Sequence, residues 1–128
     1  MNIQELATLA ELHLNVKIVV LDNAALGLVK QQQNLFYERR EIASTFVRPT
    51  DFAEVARAFG IASWDLNHAS DPQHTLREAL HAAGPALVRV PIASDELALP
   101  MVPPGRANRE ALDYEHFHSR QIGEERCS

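Results

Sequence analysis

Near the start of the chain Ile3, Leu6, Ala7, Ala10 and Leu14 recur at helical spacing, the signature of a helix with one apolar face. Asn2 followed three residues later by Glu5 has the form of a capping box on its first turn. From Val16 to Leu21 the pattern becomes a nearly unbroken aliphatic run, Val-Lys-Ile-Val-Val-Leu, which predicts a strand buried on both faces, the kind found in parallel sheets. Asp22 to Gly27 interrupts the run, and Leu28 to Arg40 predicts a polar helix with Leu28, Gln32, Leu35 and Phe36 on one face. A further helix opens at Asp51, places Phe52, Val55, Ala56 and Phe59 on one stripe, and meets a stop signal at Gly60. A short strand over Ile61 to Leu66 follows. Ser70 or Asp71 as cap, Pro72 in the first turn, Leu76, Ala79, Leu80 and Ala83 inside and Gly84 beyond the end mark another helix. Pro85 to Ile92 is the next strand. Pro91 has no N–H to give to a ladder, which places that strand at a sheet edge.

Helices alternating with short apolar strands predict an α/β fold: right-handed βαβ units, a parallel sheet and helices on both faces. Beyond Leu97 the pattern fails. Pro100, Pro103, Pro104 and Gly105 make an extended segment, and Glu115 to Ser128 is polar without a period. The expectation is a packed domain over residues 1–112 and a loose polar tail over 113–128. No internal repeat or low-complexity tract is visible.

Composition narrows the class. With 128 residues the chain makes one ordinary domain, and a chain near that size buries roughly 68–70% of its unfolded surface without a staple. Twelve Lys and Arg against seventeen Asp and Glu give a net charge of −5, and the positive residues are scattered. A phosphate backbone requires a basic stripe, so nucleic acid is not an expected partner. The single cysteine, Cys127, cannot close an intrachain bridge, and no apolar run approaches the 18 or so residues of a membrane span. Asn2, Gln4 and Glu5 at the start lack the pattern of a secretory leader. The expectation is a cytoplasmic protein with no membrane contact.

In an open parallel sheet ligands collect at the carboxyl ends of the strands, so the loop Asp22 to Gly27 is the first place to look for chemistry. Asn23 and loop carbonyls offer hard oxygens for magnesium, and Gly27 allows close backbone approach to a phosphate. Asx and Gly residues after a strand are more often turn formers than ligands, and both readings stand at this level. His13, His68, His74 and His81 share no spacing. His116 and His118 form a His-x-His pair in the polar tail, where a solvated tail is the simpler reading than a metal site. Cys127 has no placed histidine to activate it. Trp64 and the Phe52, Val55, Phe59 stripe read as core or partner interface.

The residues Met1 to Thr8, the strand after them, and Leu-Asp-Asn-Ala-Ala-Leu-Gly-Leu-Val-Lys-Gln-Gln-Gln from Leu21 to Gln33 closely resemble the thiamine-diphosphate-binding domain of acetolactate synthase large subunits. The resemblance continues through Asn34 to Glu38, Asp65-Leu66-Asn67, Asp71-Pro72-Gln73, Gly84-Pro85-Ala86 and Pro100 to Gly105, and is greatest to the isozyme I type of enteric bacteria. It implies a thiamine-diphosphate- and magnesium-dependent transferase of branched-chain amino acid biosynthesis, which decarboxylates pyruvate and joins the remaining carbons to a second 2-keto acid. It also implies a large-subunit homodimer and a regulatory small subunit. On the matching positions, Asn23 and the carbonyl of Ala25 are metal ligands, Leu26, Gly27 and Leu28 lie against the diphosphate and the cofactor rings, and Gln32 shapes the acceptor pocket. Many members carry tryptophan where Gln32 stands, which removes the basis for a strong preference for 2-ketobutyrate over pyruvate.

The family's Gly-Asp-Gly turn, which supplies a charged metal ligand, has no counterpart in the residues before Asn23. Its activating glutamate and the region that binds flavin are likewise outside the chain. The expectation is therefore the C-terminal fifth or so of a subunit, inactive alone, with no catalytic residue assigned on it. The alternatives are a non-catalytic remnant or interaction module associating with synthase subunits, and another 2-keto-acid carboligase or decarboxylase of the superfamily.

Overall fold

A computed structural model of the chain describes residues 2–115. The chain divides into two compact units, residues 2–25 with 46–94 and residues 26–45 with 95–115. Met1, the His116–His118 pair and Cys127 lie outside the described residues.

The first unit holds three parallel strands, β1 (Lys17–Asp22), β2 (Ala62–Asp65) and β3 (Ala86–Pro91), in the spatial order β1-β3-β2. Leu87 lies between Ile18 and Ser63, and Arg89 between Val20 and Asp65, so these residues share one face of the sheet. That face is covered by α1 (Glu5–Glu11) and α3 (Phe52–Ala58), which bring Leu6, Ala56, Phe52, Val55 and Phe59 against Ile18, Val20 and Leu87. The connection from β1 to β2 passes over β3 and the connection from β2 to β3 returns. Right-handed crossovers in opposite directions put their helices on opposite faces, which places α4 (Pro72–His81), packed on β2 and β3 with Ala79 wholly buried, on the other side. The fold is α/β with helices on both faces of a parallel sheet.

Helix boundaries follow local chemistry. The Asp51 side chain accepts the Glu54 N–H at 2.9 Å and the Asp71 side chain accepts the His74 N–H at 3.0 Å, two N-caps of the expected kind. Gly60 and Gly84 follow α3 and α4 with φ +77° and +73°, left-handed stops that glycine adopts at no steric cost.

Three expectations for this unit are corrected. β1 is an edge strand rather than one buried on both faces: Ile18 and Val20 pack inward, but Val19 and Leu21 are 45% and 64% exposed. β3 is the central strand rather than an edge, because Pro91 is its last residue and pairing passes to the Ile92 N–H, which donates to the Asp22 carbonyl at 3.0 Å. The capping box of Asn2 and Glu5 does not form. The Glu5 N–H donates to the Asn2 main-chain oxygen in a tight turn, and the helix begins after Gln4 with no side-chain cap.

In the second unit α2 (Gly27–Phe36) ends earlier than the expected Arg40, because Glu38 and Arg39 turn left-handed at φ 54° and 58°. Of the four residues expected on one face, Leu35 and Phe36 are half-buried while Leu28 and Gln32 are exposed, and the buried residue of the helix is Gln31. The Gln31 amide makes a two-way bond with the main chain of Ala98, accepting its N–H at 2.8 Å and donating to its carbonyl at 3.0 Å. Met101 and Leu112 exchange main-chain bonds in an antiparallel bridge, and the Tyr114 hydroxyl donates to the Leu97 carbonyl at 3.4 Å.

Candidate functional site

All three strands of the first unit end on the same side, and each contributes one charged residue there: Asp22 from β1, Asp65 from β2 and Arg89 from β3. Their side chains share the face that carries Val20, and none has more than 17% of its surface exposed. The Arg89 guanidinium donates from Nε to Asp22 Oδ2 at 2.7 Å and from Nη1 to Asp65 Oδ2 at 2.8 Å. Its hydrogen bonds to the two carboxylates, Asp22 first, push the pKa of Arg89 further above its ordinary value. For Asp65 burial acts upward, yet the Asn67 N–H and the bond and charge of Arg89 outweigh it and hold the carboxyl below its ordinary value. A guanidinium between two carboxylates satisfies charges that would be costly to bury unpaired.

The loop after β1 grows from this group. The second oxygen of Asp22 accepts the Ala24 N–H at 2.9 Å, and the Asn23 side-chain oxygen accepts the Ala25 N–H at 3.2 Å, so two Asx turns run in succession. Between them Ala24 sits at φ 53°, a conformation that costs an alanine roughly 1–2 kcal/mol. Its carbonyl accepts the Phe46 N–H at 2.9 Å. Asn23 and Ala25 are half-buried.

The Asp22 carboxylate is engaged by Arg89 and Ala24; the two oxygens that the resemblance assigns to magnesium are the amide oxygen of Asn23, which here accepts the Ala25 N–H, and the carbonyl of Ala25. Both are neutral, hard oxygens of the kind magnesium accepts. They fit that ion in chemical type, as two of its six ligands, with no carboxylate among them.

In the second unit Leu26, Gly27 and Leu28 form the entry to α2. The Leu26 N–H donates to the Ser44 carbonyl at 2.7 Å, and Leu26 has no side-chain oxygen with which to cap the helix. The first N–H groups of a helix have no intrahelical partner, which makes such an end suited to an anion. Leu26 and Leu28 are 45% and 58% exposed, and Gln32 lies one turn beyond Leu28 on the same exposed face. The predicted residues thus form two sets: Asn23 with Ala25 in one Asx turn, and Leu26, Gly27, Leu28 and Gln32 along one end and face of α2.

Residues 1–90 match the family described as thiamine pyrophosphate enzyme, C-terminal TPP binding domain. The chain belongs to that family. It is 50% identical over 112 residues to the acetolactate synthase isozyme 1 large subunit of Escherichia coli (strain K12), covering 88% of this chain and 20% of that one. Identity is 40% over 113 residues to the isozyme 2 large subunit of the same organism, with 88% and 21% covered. It is 36% to the acetolactate synthase large subunit of Pyropia yezoensis, with 88% and 19% covered. The chain thus spans about a fifth of the length of these relatives. The crystal structure of benzoylformate decarboxylase from Polynucleobacter necessarius shares the fold, with a TM-score of 0.65 at 23% identity over 76% of this chain and 18% of that one.

Arg89, Asp65, Gln31 and Ser44 were given no role from sequence, although Asp65 and Gln31 stand in segments that carry the resemblance. Arg89 had a signal, being the one charged residue in the apolar run from Ala86 to Ile92. Ser44 had none, yet its hydroxyl is buried without a hydrogen-bond partner among the described residues. No group of three or more His, Cys, Asp or Glu among the described residues could hold a metal, and none of their helices is long and apolar enough to cross a membrane. Of the scattered histidines, His68 is highly exposed beside Asp65 at 4.0 Å and His81 bonds the Arg77 carbonyl of its own helix.

Proposed function

We propose that this chain is the thiamine-diphosphate- and magnesium-binding segment of an acetolactate synthase large subunit. In that reading the whole enzyme joins pyruvate to a second 2-keto acid for branched-chain amino acid biosynthesis in the cytoplasm, as a large-subunit homodimer with a regulatory small subunit. The observation that carries the reading is the 50% identity over 112 residues to an acetolactate synthase large subunit, with Asn23 standing in the Asx turn that follows β1. When bound, thiamine diphosphate supplies the carbon chemistry. The residues here would bind and orient: by the resemblance, Asn23 and the Ala25 carbonyl would hold magnesium, Leu26, Gly27 and Leu28 would serve the diphosphate and the rings, and Gln32 would border the acceptor. Flavin is assigned to no residue of this chain. With a metal carboxylate and the activating glutamate outside it, the chain alone is expected to be inactive.

The test is calorimetric titration of the chain with thiamine diphosphate, with and without magnesium, repeated on Asn23→Ala. Magnesium-dependent binding that is lost in the variant supports the reading, and no binding under either condition overturns it for the isolated chain. A second reading, a non-catalytic module that associates with synthase subunits, draws on the exposed Val19 and Leu21 of edge strand β1, since uncovered strand edges promote association. It predicts stable co-sedimentation with a large subunit and no cofactor binding.

A further inference from the structure

We propose that Arg89 is a positioning residue for the cation-binding loop, acting through Asp22; the inference deepens the magnesium reading of Asn23 and Ala25 and rests on it. Arg89 stands on central strand β3, next to the buried Leu87 and Val88, so its backbone is held from both sides. The two bonds of its guanidinium leave from different nitrogens toward different strands, Nε to Asp22 and Nη1 to Asp65. A planar fork tied at two points has one orientation. That orientation fixes the Asp22 carboxylate, which is buried, and the other oxygen of the same carboxylate takes the N–H of Ala24.

Ala24 is the residue that matters for a cation. It stands between the two proposed donors at a left-handed φ of 53°, and the Asn23 side-chain oxygen takes the Ala25 N–H across it, so the turn that presents both depends on this one conformation. An alanine persists in that conformation only where its surroundings over-determine it. Here the Asp22 carboxylate holds its N–H, and the Phe46 N–H holds its carbonyl. Arg89 therefore touches neither donor yet decides where both point. A lysine keeps the charge but has one ammonium centre, which cannot reproduce the two-way fork.

The experiment is amide hydrogen exchange on the isotopically labelled full chain and on Arg89→Met, Arg89→Lys and Asp65→Asn, followed by titration with Mn2+ as a paramagnetic probe in the presence of thiamine diphosphate. In Arg89→Met the Ala24 amide is expected to exchange at least about tenfold faster relative to the Val88 amide, and Mn2+ to bind about 10–100-fold more weakly, the usual consequence of losing a group that orients a metal ligand. Asp65→Asn leaves the Arg89–Asp22 bond in place, so stability falls while Ala24 exchange relative to Val88 stays within about threefold. Arg89→Lys, which neutralises the carboxylates and preserves the fold where the methionine variant does not, should still show the faster Ala24 exchange. Ala24 and Val88 shifting by the same factor in Arg89→Met and Arg89→Lys, or an unchanged Ala24, overturns the positioning role. Failure of the unsubstituted chain to take up Mn2+ overturns the cofactor reading instead, and the exchange arm then still decides the role of Arg89.

Discussion

Gln31 offers a perturbation whose size follows from its contacts. It lies 4% exposed on α2 and is bonded in both directions to the main chain of Ala98, with a further contact from its Nε2 to the Met101 sulfur at 3.5 Å. Gln31→Leu keeps the bulk and removes both main-chain bonds. Each is worth about 1 kcal/mol net, and more where the abandoned partner stays out of water, so the loss is about 2–3 kcal/mol. Ala98 and Met101 contact Gln31 directly, and Leu112 pairs with Met101. Native-state hydrogen exchange should therefore show the amides of Ala98, Met101 and Leu112 opening roughly 30-fold more often, the factor that about 2 kcal/mol represents. The amides of Ile61 and Val88 in the sheet unit should change by less than about threefold. Uniform acceleration of all five, or no acceleration at Ala98, would refute the assignment of Gln31 as a local clamp.

The remaining predictions concern the first unit. Asp65 titrates below its ordinary value in the folded chain, so its contribution to stability is complete above the unfolded carboxylate value near ~3.9 and is lost as pH falls through the lower folded value. Urea midpoints measured from pH 5 down to pH 2 should fall more steeply for the unsubstituted chain than for Asp65→Asn; parallel curves would contradict this. At Gly84 an added Cβ would lie 2.5 Å from the His13 ring carbon Cε1 in a φ of +73°, whereas at Gly60, φ +77°, it would meet open space. Thermal unfolding should show Gly60→Ala costing about 1–2 kcal/mol for the left-handed backbone alone. Gly84→Ala should carry the same backbone cost plus a smaller increment for displacing the exposed His13 ring, an increment that adding His13→Ala removes.

Much of the architecture was legible in local chemistry. Asp51 and Asp71 as caps, Gly60 and Gly84 as stops and the alternation of helix and strand all act within a few residues, and each appears where the spacing put it. The loop Asp22 to Gly27 was legible for the same reason, since Asx turns are made by the residues that form them. Capping at the first turn was legible in form but not in outcome: Asn2 closes a main-chain turn that competes with the side-chain bond expected of it.

Strand order was decided only by the tertiary structure. An apolar run reports that a strand prefers burial, not which neighbours exist to bury it, so β1 read as buried on both faces although Val19 and Leu21 are exposed on one of them, and β3 read as an edge because of a proline that falls at its last position. The group of Asp22, Asp65 and Arg89 was hidden for a related reason. Its members stand on three strands far apart in sequence, and only the order β1-β3-β2 places the cation between the two anions. Gln31 follows the same rule, polar by composition and buried because a distant main-chain segment supplies both a donor and an acceptor. Local interactions write themselves into spacing, while pairing between distant segments depends on a topology that no single window of the sequence contains.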